Sequence, residues 1–175
     1  MRGVWGGWLI GLGLLVMPWD AAWAQACIGS PVQTNQTCTN SVTLTNTSTF
    51  GGFNVGLQDG ATLTLTNTAS GNISGTAGTQ GFGIYTGNDA NVTNSGTISG
   101  AGGVVQGSGI LASHDANVTN SGTISGTGGS QGFGIYAGHD ANVTNSGTIS
   151  GAGSVLGSGI RASHDANVTN SGTIS

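Results

Sequence analysis

The stretch DANVTNSGTISG runs from Asp89 to Gly100, returns unchanged at Asp115 to Gly126 and at Asp140 to Gly151, and starts again at Asp165. Within it Ala90 and Val92 alternate with Asn91 and Thr93, and Ile98 stands between Thr97 and Ser99. Apolar residues at every second position, broken by Ser-Gly corners, predict short strands with one face turned inward. The period is tight: Ile73, Ile98, Ile124, Ile149 and Ile174 are 25, 26, 25 and 25 residues apart. Ile84, Ile110, Ile135 and Ile160 follow in step, at 26, 25 and 25. Three short strand signals per repeat, with no 3.6-residue period after the N-terminal segment, predict an all-β chain. The expected fold is a right-handed parallel β-helix (a β-solenoid) of about 25 residues per coil, its coils stacked about 4.8 Å apart.

One coil cannot fold alone, because its few inward aliphatic groups do not offset the entropy of ordering its backbone. Stacking supplies the missing hydrogen bonds and closes the core above and below. Asn94, Asn120, Asn145 and Asn170 continue the inward phase of the valine before them, which predicts a ladder of amides paired from coil to coil. A longer repeat of about 51 residues overlies the first, with TAGTQGFGIY at Thr76 and TGGSQGFGIY at Thr127 alternating with AGGVVQGSGIL at Ala101 and AGSVLGSGIR at Ala152. Phe82 and Phe133 occupy the place that Ser108 and Ser158 hold in the intervening coils. Val104 with Val105, and Val155 with Leu156, stand a few residues earlier where the ring is missing. This exchange predicts that each coil fills the same tube with its bulk at a different point.

The chain outside the repeats sets the context. Arg2 precedes an apolar run from Val4 to Met17, Pro18 ends it, and small residues follow in AAWAQA, as in a secretory leader cut after Ala24 or Ala26. The run is shorter than a spanning helix requires. The expected division is a signal peptide over 1–26, an N-terminal cap and first coils over 27–60, and solenoid repeats over 61–175, broken off inside a repeat at SGTIS. Cys27 and Cys38, the only cysteines, are expected to pair as a disulfide in an exported chain. Lipidation of Cys27 is disfavoured because Ala24 stands where a lipobox usually has Leu. The 175 residues include 35 Gly but only two Lys or Arg and six acidic residues. The mature part carries five Asp and Arg161, a net charge of −4 that argues against nucleic acid or anionic lipid as partners.

Outward positions are where function is expected. Asp89, Asp115, Asp140 and Asp165 form one expected column, beside Asn88, His114, His139 and His164. Asp is a common corner residue, so the plain account of this column is turn formation, the sharper one a metal ladder. The calcium-binding nonapeptide GGxGxDxUx is absent, and no metal ligands are assigned. The histidines, one coil apart, are expected to repel once protonated. SHD at Ser113 and Ser163 has the residue types of a hydrolase triad, but neighbours on a strand face opposite ways and cannot converge on one atom. The NVT sequons at Asn91, Asn117, Asn142 and Asn167 follow from the coil alone. Tyr85, Leu111, Tyr136 and Arg161 are bulky residues at equivalent outward positions, and are the candidate contact ridge.

The recurring VTNSGTISG behind a secretory leader resembles the passenger region of Gram-negative autotransporters, the type V secretion proteins, over most of residues 40–175. That resemblance implies a β-helix displayed outside the cell, at the outer membrane surface or released. It also implies anchoring by a C-terminal membrane barrel that this sequence lacks, and roles in adhesion, aggregation or display. Partners would be a host or neighbouring cell surface, a glycan, or another copy of the chain. No enzyme activity and no cofactor are expected. The alternatives are an ice- or crystal-binding solenoid, using Asn91 with Thr93 and Thr97 with Ser99, and an exported carbohydrate-active β-helix enzyme.

Overall fold

Ala90, Val92 and Asn94 point inward and are buried, while Asn91 and Thr93 between them face out. That alternation makes Ala90–Asn94 a strand with one dry face, and the same pattern recurs in every full coil. The computed structural model describes residues 62–175 in full; of the chain before them it describes the backbone of five strands. These are β1 (Gln25–Ala26), β2 (Thr37–Asn40), β3 (Thr43–Asn46), β4 (Thr49–Phe50) and β5 (Phe53–Asp59). Then follow β6 (Leu63–Asn67), β7 (Asn72–Ala77), β8 (Gln80–Thr86), β9 (Ala90–Asn94), β10 (Thr97–Gly102), β11 (Gln106–Ala112) and β12 (Ala116–Asn120). The chain continues through β13 (Thr123–Gly128), β14 (Gln131–Ala137), β15 (Ala141–Asn145), β16 (Thr148–Gly153), β17 (Leu156–Ala162), β18 (Ala166–Asn170) and β19 (Thr173–Ile174). The leader and the pairing of Cys27 with Cys38 lie outside the described residues.

The strands stack into three sheets. The first runs β1-β2-β6-β9-β12-β15-β18, the second β3-β7-β10-β13-β16-β19, and the third β4-β5-β8-β11-β14-β17. All pairs are parallel except β4 with β5. Apart from β1 with β2 and β4 with β5, each strand pairs with its equivalent one coil away, and the rest of the coil serves as the crossover that parallel strands need. The result is the expected β-solenoid, about four turns of about 25 residues, with every element among the described residues a strand. Register matches like with like: Val118 faces Val92 and Val143, and Val143 faces Val168. The first full coil is longer, 27 residues from Asn67 to Asn94, because its corner after Asn67 is closed by a turn in which the Gly71 amide bonds the Thr68 carbonyl.

Inside the tube, Ile73, Ile98, Ile124 and Ile149 meet Ile84, Ile110 and Ile135 and the Ala-Val rows of the first sheet. The amide ladder is present as expected. Asn67 donates to Asn94, Asn94 to Asn120, Asn120 to Asn145 and Asn145 to Asn170, each through Nδ2 to Oδ1 at 2.7–2.8 Å. Each of these four Nδ2 groups also reaches two backbone carbonyls at a corner, so the buried amides are fully engaged.

The expected volume exchange is overturned. Val104, Val105 and Val155 are 66%, 39% and 79% exposed and fill nothing. Phe82 and Phe133 are buried, yet neither belongs to the cluster that fills the tube. The physical reason lies in the glycines beside them. A Cβ at Gly83 would stand 2.9 Å from Ile98 Cγ2, and one at Gly134 would stand 2.6 Å from Ile149 Cγ2, so these glycines face the core. A Cβ at Gly126 would overlap the Phe133 carbonyl oxygen on the opposite sheet. The second and third sheets therefore press backbone to backbone along a glycine seam, and the phenylalanines lie outside the aliphatic cluster, buried against Tyr85 and Tyr136.

Candidate functional site

The corner between the third sheet and the next coil carries the histidines. Ser113–Asp115 and their equivalents lie in this corner and not on a strand, and the ladder of backbone bonds continues through it: His139 N–H donates to the His114 carbonyl at 3.0 Å and His164 N–H to the His139 carbonyl at 3.1 Å. Stacking at this spacing sets the rings face to face, with centroids 5.0 and 4.8 Å apart and planes 2° and 7° from parallel. Oδ1 of Asp89, Asp115 and Asp140 is held by the backbone N–H of the next aspartate along the column, at 3.2, 3.1 and 3.0 Å respectively.

Between the rings and the carboxylates runs a continuous alternation. His114 Nδ1 lies 2.9 Å from Asp89 and 3.3 Å from Asp115; His139 Nδ1 lies 3.2 Å from Asp115 and 3.3 Å from Asp140. His164 Nδ1 lies 2.9 Å from Asp140 and 3.4 Å from Asp165. Every imidazole thus stands between two carboxylates, whose charge opposes the expected repulsion among the stacked histidines. His164 is accordingly raised above the ordinary 6.5, first by its hydrogen bond to Asp140 and then by the charges of Asp165 and Asp140. Asp140 is held below the ordinary 3.8, first by the Asp165 backbone N–H, which outweighs the opposing effect of burial, with His164 and His139 adding to the lowering. The Ser113 hydroxyl donates to the Thr86 carbonyl at 2.9 Å and is thereby turned to the neighbouring coil's backbone.

On the third sheet, Tyr85, Leu111, Tyr136 and Arg161 stand in register as one column. The three hydrophobic or aromatic members are half-buried and Arg161 is exposed. Phe82 packs beside Tyr85 with ring centroids 5.9 Å apart, and Phe133 beside Tyr136 at 5.4 Å. Arg161 covers this pair, its guanidinium carbon 5.5 Å from the Phe133 centroid and 5.9 Å from that of Tyr136. The two phenylalanines are what a reading of the sequence misses on this face. The signal was present in GFG at Gly81–Gly83 and Gly132–Gly134, since glycine on both sides of a ring marks the side with no space.

The first sheet offers a different surface. Asn91, Asn117, Asn142 and Asn167 form an outer amide column, Asn117 donating to Asn91 at 2.9 Å, and Asn142 to Asn117 and Asn167 to Asn142 at 3.0 Å. Its bonds point toward the N-terminal coil, opposite in sense to the buried ladder. Thr64 lies in register with Asn91, and Thr66, Thr93, Thr119, Thr144 and Thr169 form a second column beside this one. Between the columns lies an open trough of about 600 Å³. Thr97 and Ser99 are matched by their equivalents on the second sheet. No known protein family, curated protein or solved structure matches this chain.

Proposed function

We propose that this chain is an exported, autotransporter-type passenger that acts by contact, displaying its solenoid at the surface of a Gram-negative cell. The observation that carries this reading is the regular outer surface: columns of Asn and Thr side chains repeat at coil spacing along an open face of the solenoid. Such a surface binds extended or repetitive partners, because each coil adds one more weak and equivalent contact. A neighbouring cell surface, a glycan chain or a second copy of the solenoid has that form. The secretory leader pattern and the resemblance of VTNSGTISG to passenger repeats support export. Right-handed coiling accords with the strong preference of crossovers between parallel strands.

The experiment is made in the native host, with the gene intact and with residues 76–175 deleted. Surface proteolysis of whole cells reports where the chain resides, and sedimentation and adhesion assays report contact. The proposal expects the intact chain to be cleaved from outside and the deletion to reduce aggregation or adhesion. A chain protected inside the cell, or a deletion that leaves both assays unchanged while a hydrolytic activity disappears, overturns it.

A further inference from the structure

We propose that the His–Asp corner column is a binding site for one divalent transition-metal ion, held by two imidazoles and the carboxylate between them. This inference concerns the purified solenoid and stands independently of where the chain resides. The donors come in two overlapping sets. Ligand atoms of His114, Asp115 and His139 lie within 4.8 Å of one another, and so do those of His139, Asp140 and His164.

The spacing inside each set fits an ion. Asp115 Oδ1 stands 3.3 and 3.2 Å from the two flanking Nδ1 atoms, and Asp140 Oδ1 stands 3.3 and 2.9 Å from its own pair. Neighbouring donors around an ion with bonds of about 2.1 Å are roughly 3.0–3.4 Å apart, so each carboxylate–imidazole pair already spans one edge of a coordination shell. The two imidazoles of a set are farther apart and must tilt toward the ion. Their side chains, 47–61% exposed, have room for that.

Two features prepare the site. The backbone N–H of the next aspartate fixes each carboxylate, which is the outer support that metal ligands commonly have. Stacking holds the rings side by side before any ion arrives, so binding has only to tilt them. In the ion-free column a neutral imidazole places its proton on Nδ1 toward aspartate. To accept an ion at Nδ1 it carries that proton on Nε2 instead, facing solvent, with no net proton gained or lost. Nitrogen donors with one or two carboxylate oxygens suit Zn²⁺, Ni²⁺ or Cu²⁺, whereas Ca²⁺ and Mg²⁺ require shells of oxygen. The two sets share His139, so one ion is bound at a time.

The test is calorimetric titration of the full chain, freed of metal with a chelator, with Zn²⁺ and Ni²⁺ at neutral pH in a non-coordinating buffer. One ion per chain is expected, with micromolar affinity, and no heat from Ca²⁺ or Mg²⁺. His139→Gln keeps a hydrogen-bond donor beside Asp115 but removes a ligand from both sets, and should weaken binding at least tenfold. His114→Ala or His164→Ala removes one set of two and should weaken it about twofold, while the double variant should match His139→Gln. Thermal melting of each variant confirms that the solenoid is retained. Equal losses in all three single-histidine variants would mean independent surface imidazoles, and would overturn the proposal. So would the absence of binding at millimolar Zn²⁺.

Discussion

Asn120 is the member of the buried ladder whose loss can be worked out most fully. Its side chain is 1% exposed, accepts from Asn94 Nδ2 at 2.8 Å, and donates to Asn145 Oδ1 at 2.8 Å, the Gly122 carbonyl at 3.1 Å and the Thr148 carbonyl at 3.2 Å. Two amide protons serve those three acceptors, so Asn120→Ala removes the equivalent of three hydrogen bonds. The neighbours are not left wholly unpaired. Asn94 keeps the Gly96 and Thr123 carbonyls, and Asn145 Oδ1 keeps the Gly147 N–H. At about 1 kcal/mol net per bond, the loss is about 3 kcal/mol, rising toward 4 with the small cavity. Thr119→Ala, on the exposed face of the same strand, should change stability by no more than about 0.5 kcal/mol. Urea unfolding of the full chain followed by circular dichroism measures both, and hydrogen exchange should show protection falling first in β9, β12 and β15, since each coil depends on its neighbours. If Asn120→Ala costs under about 1 kcal/mol, no more than the threonine control, the ladder's contribution to stability has been misjudged.

Val143 is 3% exposed within the valine column, so Val143→Asp places an unpaired charge in the tube and should abolish the strand signal of at least the adjacent coils; an unchanged spectrum and melting temperature refute the inward placement. Gly126→Ala should destabilise the array because its methyl would overlap the Phe133 carbonyl oxygen across the seam; a Tm equal to wild type would show that the two sheets do not meet there. The pH dependence has a defined sign. Because Asp140 is held below 3.8, its contribution is present above that value and is lost as pH falls through the folded value; because His164 is raised above 6.5, its contribution is complete below that value and is lost as pH rises through the folded one. The pairing of Asp140 with His164 therefore supports the fold best between 3.8 and 6.5, and the Tm difference between wild type and His164→Gln should be greatest in that window. A difference that is flat from pH 3 to 8 contradicts the pairing.

Much of this architecture follows from local pattern. The alternation of Ala90, Val92 and Asn94 with polar neighbours assigns the inner and outer faces, because successive side chains on a strand point opposite ways. The nearly constant separation of Ile73, Ile98, Ile124 and Ile149, 25 or 26 residues, then leaves stacked coils as the arrangement that buries every inward residue. The amide ladder was legible for the same reason, as was the column of Tyr85, Leu111, Tyr136 and Arg161. Phe82 and Phe133 were not, since their direction depends on how closely the second and third sheets approach, and hydrophobicity alone assigns a phenylalanine to the core. Nor was the interleaving of His114, His139 and His164 with the carboxylates of their own and the preceding coil. A repeat states which residues recur, but which atoms of one coil meet those of the next depends on the path of the corner and the offset between coils. Both are properties of the stacked tertiary structure, in which the aspartate of one coil reaches the histidine of the next only after the backbone ladder has set their spacing.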